Sequence, residues 1–83
     1  MTARILVVED ERIVALDLSA TLRHLGYEVV GMAASAADAV RLARAHRPDL
    51  VLMDIHLEGA GDGTEAGTEI LGELAIPVIY LTA

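Results

Sequence analysis

The sequence predicts an α/β domain, a doubly wound parallel sheet built in the order β-α-β-α-β-α-β. Two observations predict the architecture and a third locates its working edge. Short continuous apolar runs (ILVV at 5–8, LVLM at 50–53, VIYL at 78–81) alternate with longer stretches whose apolar residues recur at helical spacing. Continuous runs of this kind mark strands covered on both faces. Strict alternation of such strands with amphipathic helices implies right-handed crossovers, with helices on both faces of the sheet. Finally, acids end two of the runs: Glu9, Asp10 and Glu11 follow the first, and Asp54 ends the one at 50–53. Ligands of open parallel sheets bind beyond the C-terminal strand ends, at the point where strand order switches.

Each element has its own warrant. Ile5 to Val8 is the first strand. A helix from Glu11 to Leu25 follows, with Val14, Leu18, Leu22 and Leu25 as its apolar stripe, Arg12, Asp17 and Arg23 off that stripe, and Gly26 as its stop. Tyr27 to Ala33 is the second strand, and Ser35 is the N-cap of an Ala-rich helix running to about His46. Pro48 ends that helix. Asp49 to Asp54 is the third strand, and the loop after it holds Gly59, Gly61 and Gly63. The third helix, roughly Thr64 to Leu74, places Gly67, Ile70, Leu71 and Leu74 on one face, where Gly67 permits close packing. Pro77 opens the last strand, VIYL, which leads into Thr82 and Ala83. There is no internal repeat, low-complexity tract or linker.

Composition narrows the function classes. Eighty-three residues suit one small domain of marginal stability, because a short chain hides a smaller fraction of its surface. The hydrophobic share of 54%, almost all aliphatic with two Tyr and no Phe or Trp, describes a globular chain and not a disordered one. Thirteen acids against six Arg give a net charge of −7, which opposes docking on nucleic acid or an anionic membrane. The absence of cysteine excludes disulfides, thiolate metal sites and thiol nucleophiles. The N-terminus MTARILVVEDE matches neither a signal peptide nor a spanning helix, so a cytoplasmic protein with no membrane partner is expected. No lysine occurs anywhere in the sequence.

If the first and third strands are adjacent and parallel, the carboxylates of the triplet Glu9, Asp10 and Glu11 converge with that of Asp54 on one point of the sheet edge. Negative groups so placed repel one another and raise at least one pKa unless a cation lies among them. A divalent ion with oxygen ligands, most naturally Mg2+, is the expected occupant. Other features have plainer readings. His24 and His46 sit near helix C-termini, where a positive charge suits the helix dipole, and the segment 59–63 lacks the Lys of a phosphate-cradling loop.

Taken in order, VVEDE, DLVLMDIHLEG, DGTEA and IPVIYLTA closely resemble the receiver domain of two-component response regulators, over the whole chain. The resemblance implies a flavodoxin-like sheet of order 2-1-3-4, incomplete in that the family's fifth strand and last helices are absent. Residues 1–83 would then be the N-terminal portion of a receiver domain. It further implies that Asp54 is the phosphoacceptor for a sensor histidine kinase or phosphotransfer protein. Asp10, Glu9 through water, Asp54 and the His56 backbone carbonyl would hold Mg2+. Thr82 would be the switch hydroxyl and the Ala83 N–H a second donor to the phosphoryl group. Such a domain is a switch, not a turnover enzyme.

Receiver domains also carry a Lys and an aromatic switch residue on the fifth strand, and neither has a counterpart in these 83 residues. The face of the sheet shared by helix one and the family's last helix should therefore expose apolar side chains, and the Val78 to Leu81 edge should be open to homo-oligomerisation or strand exchange. An alternative reading is a receiver remnant that docks on a partner without stable phosphorylation. A third, a phosphohydrolase using Asp54 as nucleophile, would favour an acid two residues later, where His56 stands.

Overall fold

Period-two alternation in the first strand, β1 (Arg4–Val8), divides the core into two halves. Ile5 and Val7 face one side, where they pack with Ala15 and Leu22. Leu6 and Val8 face the other, packing with Ala33, Ala36, Ala39, Ala43, Val51, Met53, Ile70 and Ile76. The structure, a computed structural model, describes residues 2–54 and 63–81. After β1 come α1 (Arg12–His24), β2 (Glu28–Ala33), α2 (Ala36–His46), β3 (Leu50–Asp54), α3 (Gly63–Leu74) and β4 (Val78–Leu81). All strand pairs are parallel and the order is β2-β1-β3-β4, as expected. From β1 the chain crosses to β2 on one side, and β3 then returns to the other side of β1. The switch point therefore lies above the β1–β3 pair.

Local chemistry sets the element ends. At the close of α1, Gly26 takes φ +98°, its N–H bonds the Arg23 carbonyl, and the Tyr27 N–H bonds the Leu22 carbonyl. This is a Schellman closure, which a side chain at position 26 would strain. The Ser35 hydroxyl caps α2 by accepting from the Asp38 N–H at 3.2 Å. Arg47 then ends α2 in the left-handed region ahead of Pro48. At the start of β3 the Asp49 carboxylate accepts from the Arg4 N–H at 2.8 Å, tying β1 to β3 at their N-terminal ends.

One face of one helix departs from expectation. The buried residues of α1 are Ala15, Ser19 and Leu22, with Leu18 partly buried against the core, whereas Val14 and Leu25 are exposed. The helix is rotated toward its small residues, which bring its axis close to the sheet. On the opposite face α2 and α3 lie side by side, joined at the surface by Arg44, which pairs with Glu69 and Glu73. Gly67 and Ile70 of α3 are buried and Leu74 packs against the core. The Leu71 side chain and the glycine-bearing segment 55–62 lie outside the described residues.

Candidate functional site

Register places the acids together. Val8 pairs with Met53, so the next residues, Glu9 and Asp54, leave the sheet side by side at its C-terminal edge. The Glu9 N–H still bonds the Ala33 carbonyl of β2 at 2.9 Å, which holds the chain in line until Asp10 turns it into α1. Carboxylate oxygens of Glu9, Asp10 and Asp54 all lie within 4.8 Å of one another. Asp10 and Asp54 are half-buried, while Glu9 is only 8% exposed.

Electrostatics at this point are strained in the direction that repulsion requires. Burial, above all, pushes the Glu9 carboxyl above its ordinary value of 4.5. A hydrogen bond from the Glu11 N–H to Glu9 Oε1, at 3.1 Å, works against the rise, and the neighbouring carboxylates of Asp10 and Asp54 add to it. All the side-chain donors are hard oxygens, converging at a strand edge, and this set fits a divalent cation of the Mg2+ type. The sequence expectation that β1 and β3 bring Asp10 and Asp54 to one place is met. The remaining candidates, His56, Thr82 and Ala83, lie outside the described residues.

A shallow cleft opens beside the acids, between the start of α1 and the end of β2. It is lined by Glu9, Asp10, Arg12, Ala15, Met32, Ala33 and Ala34. Arg12, off the apolar stripe of α1, lines this cleft from the first turn of the helix, two residues past Asp10, and that sequence position is the signal that marks it as a neighbour of the acids.

Comparison with known proteins decides the family. The profile of the family described as "Response regulator receiver domain" matches residues 5–83. This chain belongs to the response-regulator receiver family. It is 44% identical over 80 residues to the transcriptional regulatory protein PdtaR of Mycobacterium tuberculosis, covering 96% of this chain and 38% of that protein. It is 39% identical to the phyllosphere-induced regulator PhyR of Methylorubrum extorquens, covering 32% of that protein. The chain thus spans less than two fifths of the length of these relatives. Among solved structures, the receiver domain of a modulated diguanylate cyclase from Desulfovibrio desulfuricans G20 superposes with a TM-score of 0.93 at 40% identity, over 98% of this chain and 65% of that one. The response regulator PhyR from Brucella abortus gives 0.89 at 38% identity, over 96% of this chain and 33% of that one. Among the described residues no helix is long and apolar enough to cross a membrane.

Proposed function

We propose that the chain is a phosphorelay receiver module in which Asp54 accepts a phosphoryl group, with Mg2+, from the phosphohistidine of a sensor histidine kinase or a phosphotransfer protein. The observation that carries this is the meeting of three carboxylates within 4.8 Å at the switch point of a receiver-family sheet. Asp10 and Asp54 would hold the ion with the His56 carbonyl, and Glu9 would reach it through water. When bound, Mg2+ supplies the positive charge that offsets repulsion between an acceptor carboxylate and phosphoryl oxygens. A carboxylate oxygen of Asp54 forms the new O–P bond as the N–P bond of the donor breaks, and the imidazole leaves with that electron pair and is protonated. The Thr82 hydroxyl and the Ala83 N–H would donate to the transferred oxygens and couple the mark to a change of shape. Residues 1–83 would be the N-terminal portion of the receiver domain, a reading supported by the 65% coverage of a solved receiver chain.

Incubation with acetyl phosphate and Mg2+ tests the proposal. Wild type is expected to gain the mass of one phosphoryl group, and Asp54→Asn to gain none while keeping its fold. A wild-type chain that takes up no phosphate removes the reading. A second reading is a docking module that does not hold phosphate. It predicts kinase binding indifferent to Asp54→Asn.

A further inference from the structure

Gly67 and Tyr80 meet where α3 lies over the end of β4. Gly67 is buried, and a β-carbon built there would overlap the Tyr80 hydroxyl and come within 2.7 Å of its Cζ and 3.2 Å of its Cε1. The Tyr80 ring therefore occupies the space that a side chain at position 67 would take, while 38% of the residue stays exposed. Tyr80 is opposite Met53 in the sheet, and the next residue, Leu81, is opposite Asp54. Tyr80 is thus linked to Asp54 through the β3–β4 ladder.

We propose that Tyr80 is a positioning residue, closed as a latch over Gly67, that holds α3 against the end of β4 and so fixes the Asp54 carboxylate for phosphoryl acceptance. The proposal rests on the phosphoacceptor reading above. A ring has only two side-chain torsions, and close-packed surfaces do not absorb an added methyl without moving. A β-carbon at 67 must drive the ring outward, off the surface of α3.

The test compares four versions of the full chain: wild type, Gly67→Ala, Tyr80→Ala, and Gly67→Ala combined with Tyr80→Leu, whose shorter side chain leaves room for the new methyl. With acetyl phosphate and Mg2+, both single variants are expected to lose roughly 10-fold in the saturating rate of Asp54 phosphorylation at unchanged half-saturating donor, the signature of a misplaced acceptor. The double variant is expected to recover most of that rate. In the unphosphorylated chain, Gly67→Ala should shift the amide resonances of Asp54 and Leu81, and the double variant should return them. Unchanged rates in the single variants, or no recovery in a double variant that still melts cooperatively, overturn the proposal. Should Gly67→Ala fail to fold, Tyr80→Ala opens the latch without overlap and decides alone. A wild type that takes up no phosphate overturns the phosphoacceptor reading, and with it the role of Tyr80 in acceptance. The amide shifts then still decide the latch, which fails if Asp54 and Leu81 do not move.

Discussion

Glu9 is where the energetics of the site concentrate, because it is the acid that the sheet buries most deeply. Its folded-state pKa lies above the ordinary 4.5, with burial as the first cause. A raised carboxyl contributes stability that is fully present below its unfolded value and is lost as pH rises through the folded one. The metal-free chain is therefore expected to melt at progressively lower temperature as pH climbs above 4.5, with the loss complete once Glu9 has ionised. Glu9→Gln should flatten that dependence, raise the neutral-pH melting temperature without metal, and, if Glu9 serves the proposed Mg2+ site through water, weaken Mg2+ binding there by roughly 10-fold. Thermal melts across pH with and without Mg2+ check all three. A pH dependence in Glu9→Gln equal to that of wild type would show that another group carries it. The acids themselves were legible in the sequence, because strand-end position and residue type suffice to nominate them. The ranking among them was not, since it depends on which carboxylate the ladder to Ala33 draws inward.

At the scale of the element, α1 shows what hydrophobicity alone misreads. Ser19 is fully buried and its hydroxyl has no hydrogen-bond partner among the described residues. An unpaired buried hydroxyl is costly, and Ala is also the better helix former. Ser19→Ala should stabilise the chain by about 1 kcal/mol, read as a higher urea midpoint at unchanged slope. A lower midpoint would mean that Ser19 has a partner in solution. At the other end of the same helix, Gly26→Ala should cost about 1 kcal/mol, because φ +98° excludes a β-carbon without strain. The Gly26 stop and the Ser35 cap were both readable, since each rests on backbone chemistry local to a few residues. The buried face was readable only in part: Leu18 and Leu22 of the predicted stripe pack on the sheet, and Val14 and Leu25 do not. A stripe drawn through the largest apolar residues selects Val14 and Leu25, whereas packing distance to the sheet selects Ala15 and Ser19. Gly67 was marked for close packing, but its partner, Tyr80, lies 13 positions away in the sequence, and only the placement of α3 over β4 brings the two together.

For the whole molecule, the decisive feature is asymmetry between the two faces of the sheet. One face is covered by α2 and α3, while among the described residues the other carries only α1, which packs over β1 and β2. The β3 and β4 side of that face is left with Leu50 and Leu52 partly exposed and Ile79 50% exposed. Alternation fixes Ile79 there, because its register partner is Leu52. The sequence expectation of apolar side chains on the face of helix one is met at these positions. β4 also pairs on one side only among the described residues, which leaves backbone donors and acceptors along 78–81. Open apolar faces and unpaired strand edges recruit other chains. Against this, a net charge of −7 opposes association of like copies, and the balance turns on how much apolar surface contact removes from water. With Ile79 at the centre of the uncovered strip, the isolated chain is expected to self-associate at micromolar concentration, eluting earlier on size exclusion as concentration rises. Added salt should strengthen the association by screening the shared negative charge. Ile79→Lys should weaken it several-fold, since burying the exposed half of such a side chain is worth about 1 kcal/mol, while circular dichroism stays unchanged. If Ile79→Lys associates as wild type does while Tyr80→Ala abolishes association, contact runs along the α3 side of β4 and the uncovered face takes no part.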